Sequence, residues 1–333
     1  MKIALSIILS SLFCTAVLGQ NSVKDYGYNY HKISFKSDTV EFISKSKKGE
    51  ENLKKPIIIY AQGSGAKPLV KIDGKKYFSP FSFDENIFVD EYHLICIGKP
   101  EIPILMNRSE LSISGELKDS VTKFPPVEYT KRANLTYFTK RNNAVLKYLL
   151  KQEWVDTNRI VVAGHSEGAT IAVKMAVTNK KVTHLIYSGG TPYYSRILSI
   201  ITQDRKIESE KDSWIKKDFA YWEDANDDPF DVSRNHGNNS YKSTISFSEN
   251  LNDDFTRLDI PVLVSYGTKD SACPFNDLLR VEMIQENKRN IEFKDYINRN
   301  HNYFGFTKNY KVNYEDFGWD LVGNDWLNWL NKK

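Results

Sequence analysis

The stretch Arg159-Ile160-Val161-Val162-Ala163-Gly164-His165-Ser166-Glu167-Gly168-Ala169 joins two kinds of secondary structure across one serine. The β-branched run up to Ala163 is too short for a buried helix and reads as a strand covered on both faces. From Ala169 to Val177 the chain is small, apolar and free of breakers, which reads as a helix. Between them lies Gly-x-Ser-x-Gly. The pattern alone is cheap: with each residue type near 7% of positions, roughly one unrelated chain in ten of this length would carry it. Its position directly after a strand and before a helix raises its value. A sharp strand-to-helix turn projects the serine hydroxyl from the sheet, and it closes only if the neighbours lack bulky side chains. The helix N-terminus behind it favours developing negative charge. The bland alternative is an ordinary glycine-rich turn.

The same strand design recurs on both sides. Ile57-Ile58-Ile59-Tyr60 ends at Gln62-Gly63-Ser64-Gly65, and Tyr92 to Ile97 ends at Gly98. His184 to Ser188 ends at Gly189, and Pro261 to Tyr266 ends at Gly267. Short apolar runs closed by glycine, with helices between several of them, describe a mostly parallel sheet in an α/β fold, covered on both faces. Upstream, Tyr30 to Ser46 alternates with period two, as a half-exposed hairpin does. Helices are predicted over Tyr137 to Trp154 and Asp277 to Glu286, and from Tyr314 to the C-terminus, where an aromatic stripe reads as a core-docking face. Residues 192–259 break the rhythm. They are charged and aromatic, hold no buried-strand run, and read as a largely helical insertion over the sheet. Lys99 to Glu128 is another long connection.

The Gln62-Gly63-Ser64-Gly65 turn and the Gly164-His165-Ser166-Glu167-Gly168 turn together resemble the α/β-hydrolase superfamily, closest to its dienelactone-hydrolase and prolyl-oligopeptidase branches. The resemblance covers nearly all of residues 20–333. It implies a mostly parallel sheet of about eight strands whose first pair is antiparallel. It also implies a catalytic triad in the chain order serine, acid, histidine. Ser166 is then the nucleophile. Tyr266-Gly267-Thr268-Lys269-Asp270 matches the place of the acid, Asp270, with Asp277, or an acid displaced to the end of the sixth strand, as fallbacks. Of six histidines, His301 alone lies downstream of Asp270, in a loop after the strand Ile291 to Tyr296. The oxyanion donors implied are the backbone N–H groups of Ser64 and Glu167. Gln62 stands where the family carries histidine. In that strand order Cys96 and Cys273 fall on opposite sides of the nucleophile strand and are expected to stay unbonded.

Composition narrows the function. Of 333 residues 41% are hydrophobic, enough for a sizeable core, and 46 basic residues stand against 42 acidic ones. Such interspersed charge forms no basic stripe for nucleic acid. Lys2, the apolar run Ile3 to Leu18 and the small exit Val17-Leu18-Gly19 read as a signal peptide cut before Gln20, so an exported protein is expected. The run is short for a membrane anchor, and Phe13 before Cys14 is too bulky for a lipoprotein signal. Asn107, Asn134 and Asn238 open glycosylation sequons, relevant only in a eukaryotic secretory route. No His/Cys/Asp spacing resembles a metal site, and the chemistry needs no cofactor.

The leading expectation is an exported serine hydrolase of carboxylic esters, acting on a small-molecule ester or short peptide, with the insertion shaping the pocket. Trp214, Phe219, Tyr221 and Trp222 could line that pocket or pack inside the insertion. The second is a peptidase or amidase in which Glu167, or Glu223 with Asp224, could receive a substrate amine, although a solvated acidic face is the more ordinary reading of those residues. The third is a binding protein on a hydrolase scaffold.

Overall fold

The computed structural model describes residues 22–236 and 239–333. The signal-peptide reading, Cys14 and the Asn238 sequon lie outside them. Eight strands form the central sheet: β1 (Asn29–Phe35), β2 (Asp38–Lys45), β3 (Lys55–Ala61), β4 (His93–Ile97), β5 (Val155–His165), β6 (His184–Ser188), β7 (Val262–Gly267) and β8 (Ile291–Tyr296). Their order is β1-β2-β4-β3-β5-β6-β7-β8. The first two neighbouring pairs are antiparallel and all the others parallel.

Burial explains the two strand types. β1 alternates between half-buried and exposed residues, whereas every residue of β4, β6 and β7 is buried. A strand sandwiched between helix layers must be apolar on both sides. One layer holds α1 (Leu135–Leu149), α2 (Glu167–Thr178) and α5 (Cys273–Gln285), packed on Ile57, Ile59, Val162 and Val264. On the other face α6 (Trp319–Leu330) docks Trp319, Val322, Trp326 and Trp329 against Ile58, Val161 and Leu263. The buried indoles keep their polar ends satisfied: Trp326 donates to Ser265 Oγ at 3.3 Å and Trp329 to Glu292 at 3.2 Å.

The insertion between β6 and β7 contains α3 (Ser195–Ile207), α4 (Ile215–Asp227) and two short helices, Tyr241–Ser246 and Asn252–Arg257. Ile197, Ile201, Ile215, Tyr221, Ala225 and Tyr241 give it a small core of its own.

Several boundaries differ from the sequence expectation. α1 stops at Leu149, and β5 begins at Val155, four residues before Arg159. The C-terminal helix does not start at Tyr314: Val312–Phe317 is a strand paired with Phe304–Phe306. Gly318 ends it, and Arg299 clamps it by donating to the Asp316 carbonyl at 2.8 Å. Tyr314 and Phe317 are accordingly exposed. Cys96 and Cys273 are both free thiols. Asn134 is spent as the N-cap of α1, accepting from Tyr137 N at 3.0 Å.

Candidate active site

Ser166 sits at the β5–α2 junction with φ +59° and ψ −126°, a strained conformation for a residue with a side chain. The surrounding chain imposes it. Ser166 N donates to Ser188 O on β6 at 2.9 Å, and Ser166 O accepts from Ala169 N at 3.0 Å as the helix starts. A methyl group on Gly164 would lie 2.0 Å from Gly168 O, and one on Gly168 would lie 2.0 Å from Ala61 O. The elbow therefore closes against β3 only because both positions are glycine.

The two partners implied by the resemblance come together. His301 Nδ1 lies 2.7 Å from Asp270 Oδ2. The other Asp270 oxygen accepts from Ala272 N at 3.0 Å, which fixes the carboxylate in a turn. Asp270 is buried, while the His301 side chain is 40% exposed and open to the cleft. Asp277 does not reach His301; its Oδ1 accepts from Tyr266 at 2.7 Å. Beneath the histidine loop, Tyr303 at φ +59° donates to the Ser265 carbonyl at 3.1 Å and shares a 2.7 Å hydrogen bond with Ser188 Oγ. This anchor lies two residues past His301.

Two clefts meet at Ser166 and His301. The first, about 200 Å³, runs under α3 and is walled by Ser195, Arg196, Ser199, Thr202 and Gln203. The second runs past Ser64 toward Lys67, Lys71 and Phe81. Ser64 borders both, and the Cβ position of Gly63 is 3.8 Å from Ser166 Cβ. The loop expected to supply an oxyanion donor thus lies beside Ser166. Among the described residues, neither Ser64 N–H nor Glu167 N–H donates to a backbone or side-chain acceptor.

The packing decides two readings left open and corrects one. Trp214 and Phe219 are about half exposed, Tyr221 belongs to the insertion's core with Trp222 packed against it, and none lines the clefts. The wall is instead the polar stripe of α3 at positions 195, 199, 202 and 203, a helical spacing that was readable in the sequence. The Glu167 carboxylate is not free to receive an amine. It is buried between Lys99, at 3.1 Å, and Arg196. Burial alone would raise this carboxyl; the two cations outweigh it and hold it below its usual range. Glu223 and Asp224 are on the exposed face of α4.

A nucleophile elbow, an acid-supported histidine and an adjacent backbone loop on this sheet define a serine hydrolase with the α/β-hydrolase fold. Residues 142–319, more than half of the chain, match the prolyl oligopeptidase family, and the chain belongs to it. A comparison with curated protein sequences finds no match. Among solved structures the chain is similar to Est1E from Butyrivibrio proteoclasticus, at 14% identity and TM-score 0.54, over 91% of this chain and 98% of that one. It is similar to an acylaminoacyl peptidase from Pyrococcus horikoshii at 14% identity and TM-score 0.50, covering 82% of this chain but only 37% of the peptidase. It is also similar to 2,6-dihydroxy-pseudo-oxynicotine hydrolase, at 16% identity and TM-score 0.51, over 82% of this chain and 62% of that one. At these identities the likeness is one of fold. No helix among the described residues is long and apolar enough to cross a membrane.

Proposed function

We propose that the chain is an exported hydrolase of carboxylic esters working through Ser166, His301 and Asp270. The observation that carries the reading is the 2.7 Å contact between His301 and Asp270, beside a serine held at positive φ in the same cleft. His301 Nε2 takes the proton as Ser166 Oγ attacks the ester carbonyl, then gives it to the leaving alkoxide. Asp270 fixes the tautomer with the proton on Nδ1 and stabilises the imidazolium. The N–H groups of Ser64 and Glu167 receive the oxyanion. Water then attacks the acyl-Ser166 ester with His301 as base, and the free serine returns.

The charge of the clefts favours an ester over a peptide with a free N-terminus. Among the described residues the carboxylates lining them are Glu167, already paired with two cations, and Asp270, already paired with His301. Lys67 and Lys71 supply positive charge to the second cleft instead. An ammonium substrate would find no free partner, whereas a neutral or acidic ester meets no repulsion. Family membership supports the second reading, cleavage of N-blocked peptides or amides, with the same residues. Export rests on the N-terminal sequence pattern alone.

The test is labelling of the purified protein with a fluorophosphonate probe, followed by panels of acyl esters, aminoacyl anilides and N-blocked peptide anilides. Stoichiometric labelling that disappears in Ser166→Ala, with ester turnover dominating, supports the reading. No labelling of folded protein refutes it, and turnover confined to anilides assigns the chain to the peptidase reading. Mass measurement of protein recovered from an exporting host should show a start at Gln20; an uncut N-terminus overturns export.

A further inference from the structure

Asp204 on α3, Asp218 on α4 and His236, in the short bridge Asn235–His236, bring three ligand atoms within 4.8 Å of one another. The spacing 204, 218, 236 is no ligand motif; the packing of the insertion creates the cluster. Asp218 is fully buried, and among the described residues neither of its oxygens has an aligned hydrogen-bond partner. Its nearest cationic candidate is His236, whose Nε2 stands 3.3 Å from Oδ1. A buried carboxylate without donors is costly, on the order of several kcal/mol, unless a charge compensates it. Arg196 on α3, by contrast, is paired with Glu167. Asp218 instead faces the side chains of Asp204 and His236, both of a kind that can ligate a metal.

We propose that Asp204, Asp218 and His236 bind one divalent transition-metal ion, of the Zn2+ class, that staples the insertion together. One imidazole and two carboxylates suit Zn2+ better than Ca2+ or Mg2+, which take oxygen ligands alone. Ligands about 2.0–2.2 Å from such an ion stand at most about 4.4 Å apart. The separations, all within 4.8 Å, are of the size such an ion spans. The ion also neutralises the two carboxylates. The Tyr221 ring, 5.0 Å from that of His236, backs the imidazole, and its hydroxyl donates to Asn239 O at 3.2 Å. The site is distant in role from the hydrolytic serine but linked to the cleft. Asp204 directly follows Thr202 and Gln203 on α3, so a bound ion fixes the helix that walls the first cleft.

The experiment uses the full chain, free of any affinity tag, stripped with a chelator and titrated with ZnCl2 in calorimetry and thermal unfolding. One equivalent should bind, Tm should rise, and excess Ca2+ or Mg2+ should not displace it. Asp218→Asn and His236→Ala should each weaken binding at least roughly tenfold and abolish the Zn2+-dependent rise in Tm. Asp204→Asn, at a half-buried position, gives the same readout should a variant at 218 not fold. No stoichiometric binding overturns the proposal and leaves the two carboxylates sharing a proton. Binding of equal affinity in the variants overturns it equally, because the ion then sits elsewhere.

Discussion

The imidazole of His165 packs against that of His301, with ring centroids 4.8 Å apart and planes inclined by 41°. The residue before Ser166 thus walls the histidine proposed as its base. Burial holds His165 well below the usual histidine range, and the charge on His301 adds to the effect, so His165 is a neutral wall. Its Nδ1 contacts Ser188 Oγ at 3.1 Å, which ties it to the Tyr303 network.

That stack is sensitive to one glycine. Gly189 has φ +55°, and a methyl group there would lie 2.5 Å from His165 Cε1 and 2.9 Å from Nδ1. His165 cannot yield, because Trp319 closes its other side at 4.8 Å. Gly189→Ala is expected to destabilise the protein by about 1–3 kcal/mol. It should also displace His301 enough to lower kcat on an ester about 100-fold. Urea unfolding and steady-state kinetics check both; an unchanged kcat would show that the stack does not position His301.

Asp270→Asn separates the acid's roles. The amide keeps the shape but can donate to Nδ1, which favours the wrong tautomer. We expect kcat to fall on the order of 10³–10⁴-fold with KM and Tm little changed. Asp277→Asn, at the residue that accepts from Tyr266, should leave kcat within about twofold. Equal losses in the two variants would refute Asp270 as the acid.

Legibility in the sequence followed the range of the interactions. The β-branched runs and the strand-turn-helix at Ser166 are local, and strand type and the elbow follow from residues within a few positions. Asp270 and His301 were found through the chain order implied by the resemblance, although 31 positions separate them. Lys99 and Arg196 were missed as partners of Glu167, being 68 and 29 positions from it. No local pattern encodes such a pairing. Val312–Phe317 was misread because aromatic spacing there fits a helix, while its partner strand Phe304–Phe306 is visible only in three dimensions. The polar stripe of α3 was readable at helical period, but the neighbouring aromatics drew the pocket assignment instead.

Histidine burial sets an acid limit on stability. Burial lowers His31, His93 and His165, and brings His184 down to about 4. Below about pH 6.5 the unfolded chain takes up protons that the folded chain refuses. The stabilisation is therefore fully present above about pH 6.5 and is lost on acidification toward 4. Each such group can cost about 1 kcal/mol per pH unit in that window, and we expect at least about 2 kcal/mol lost between pH 7 and pH 5. Urea unfolding at both values tests this. A flat profile would show that these rings protonate in place, and His184→Gln should make the slope shallower.

Glu167 joins the nucleophile to the insertion. It lines the first cleft while its carboxylate bridges Lys99, in the connection after β4, and Arg196, on α3. Lys99 is buried over the Phe138 ring at 4.7 Å, and burial lowers its ammonium below the usual range even with Glu167 beside it. Glu167→Gln strands that ammonium beside a neutral amide and should cost about 3–5 kcal/mol in urea unfolding. Lys99→Met in the same chain removes the orphaned charge, so the double variant should be more stable than Glu167→Gln alone. The bridge also holds α3 over the first cleft, so Glu167→Gln should raise KM for esters more than it lowers kcat. A double variant no more stable than the single would show that Lys99 reaches water, and an unchanged KM would show that Glu167 does not hold the cleft wall.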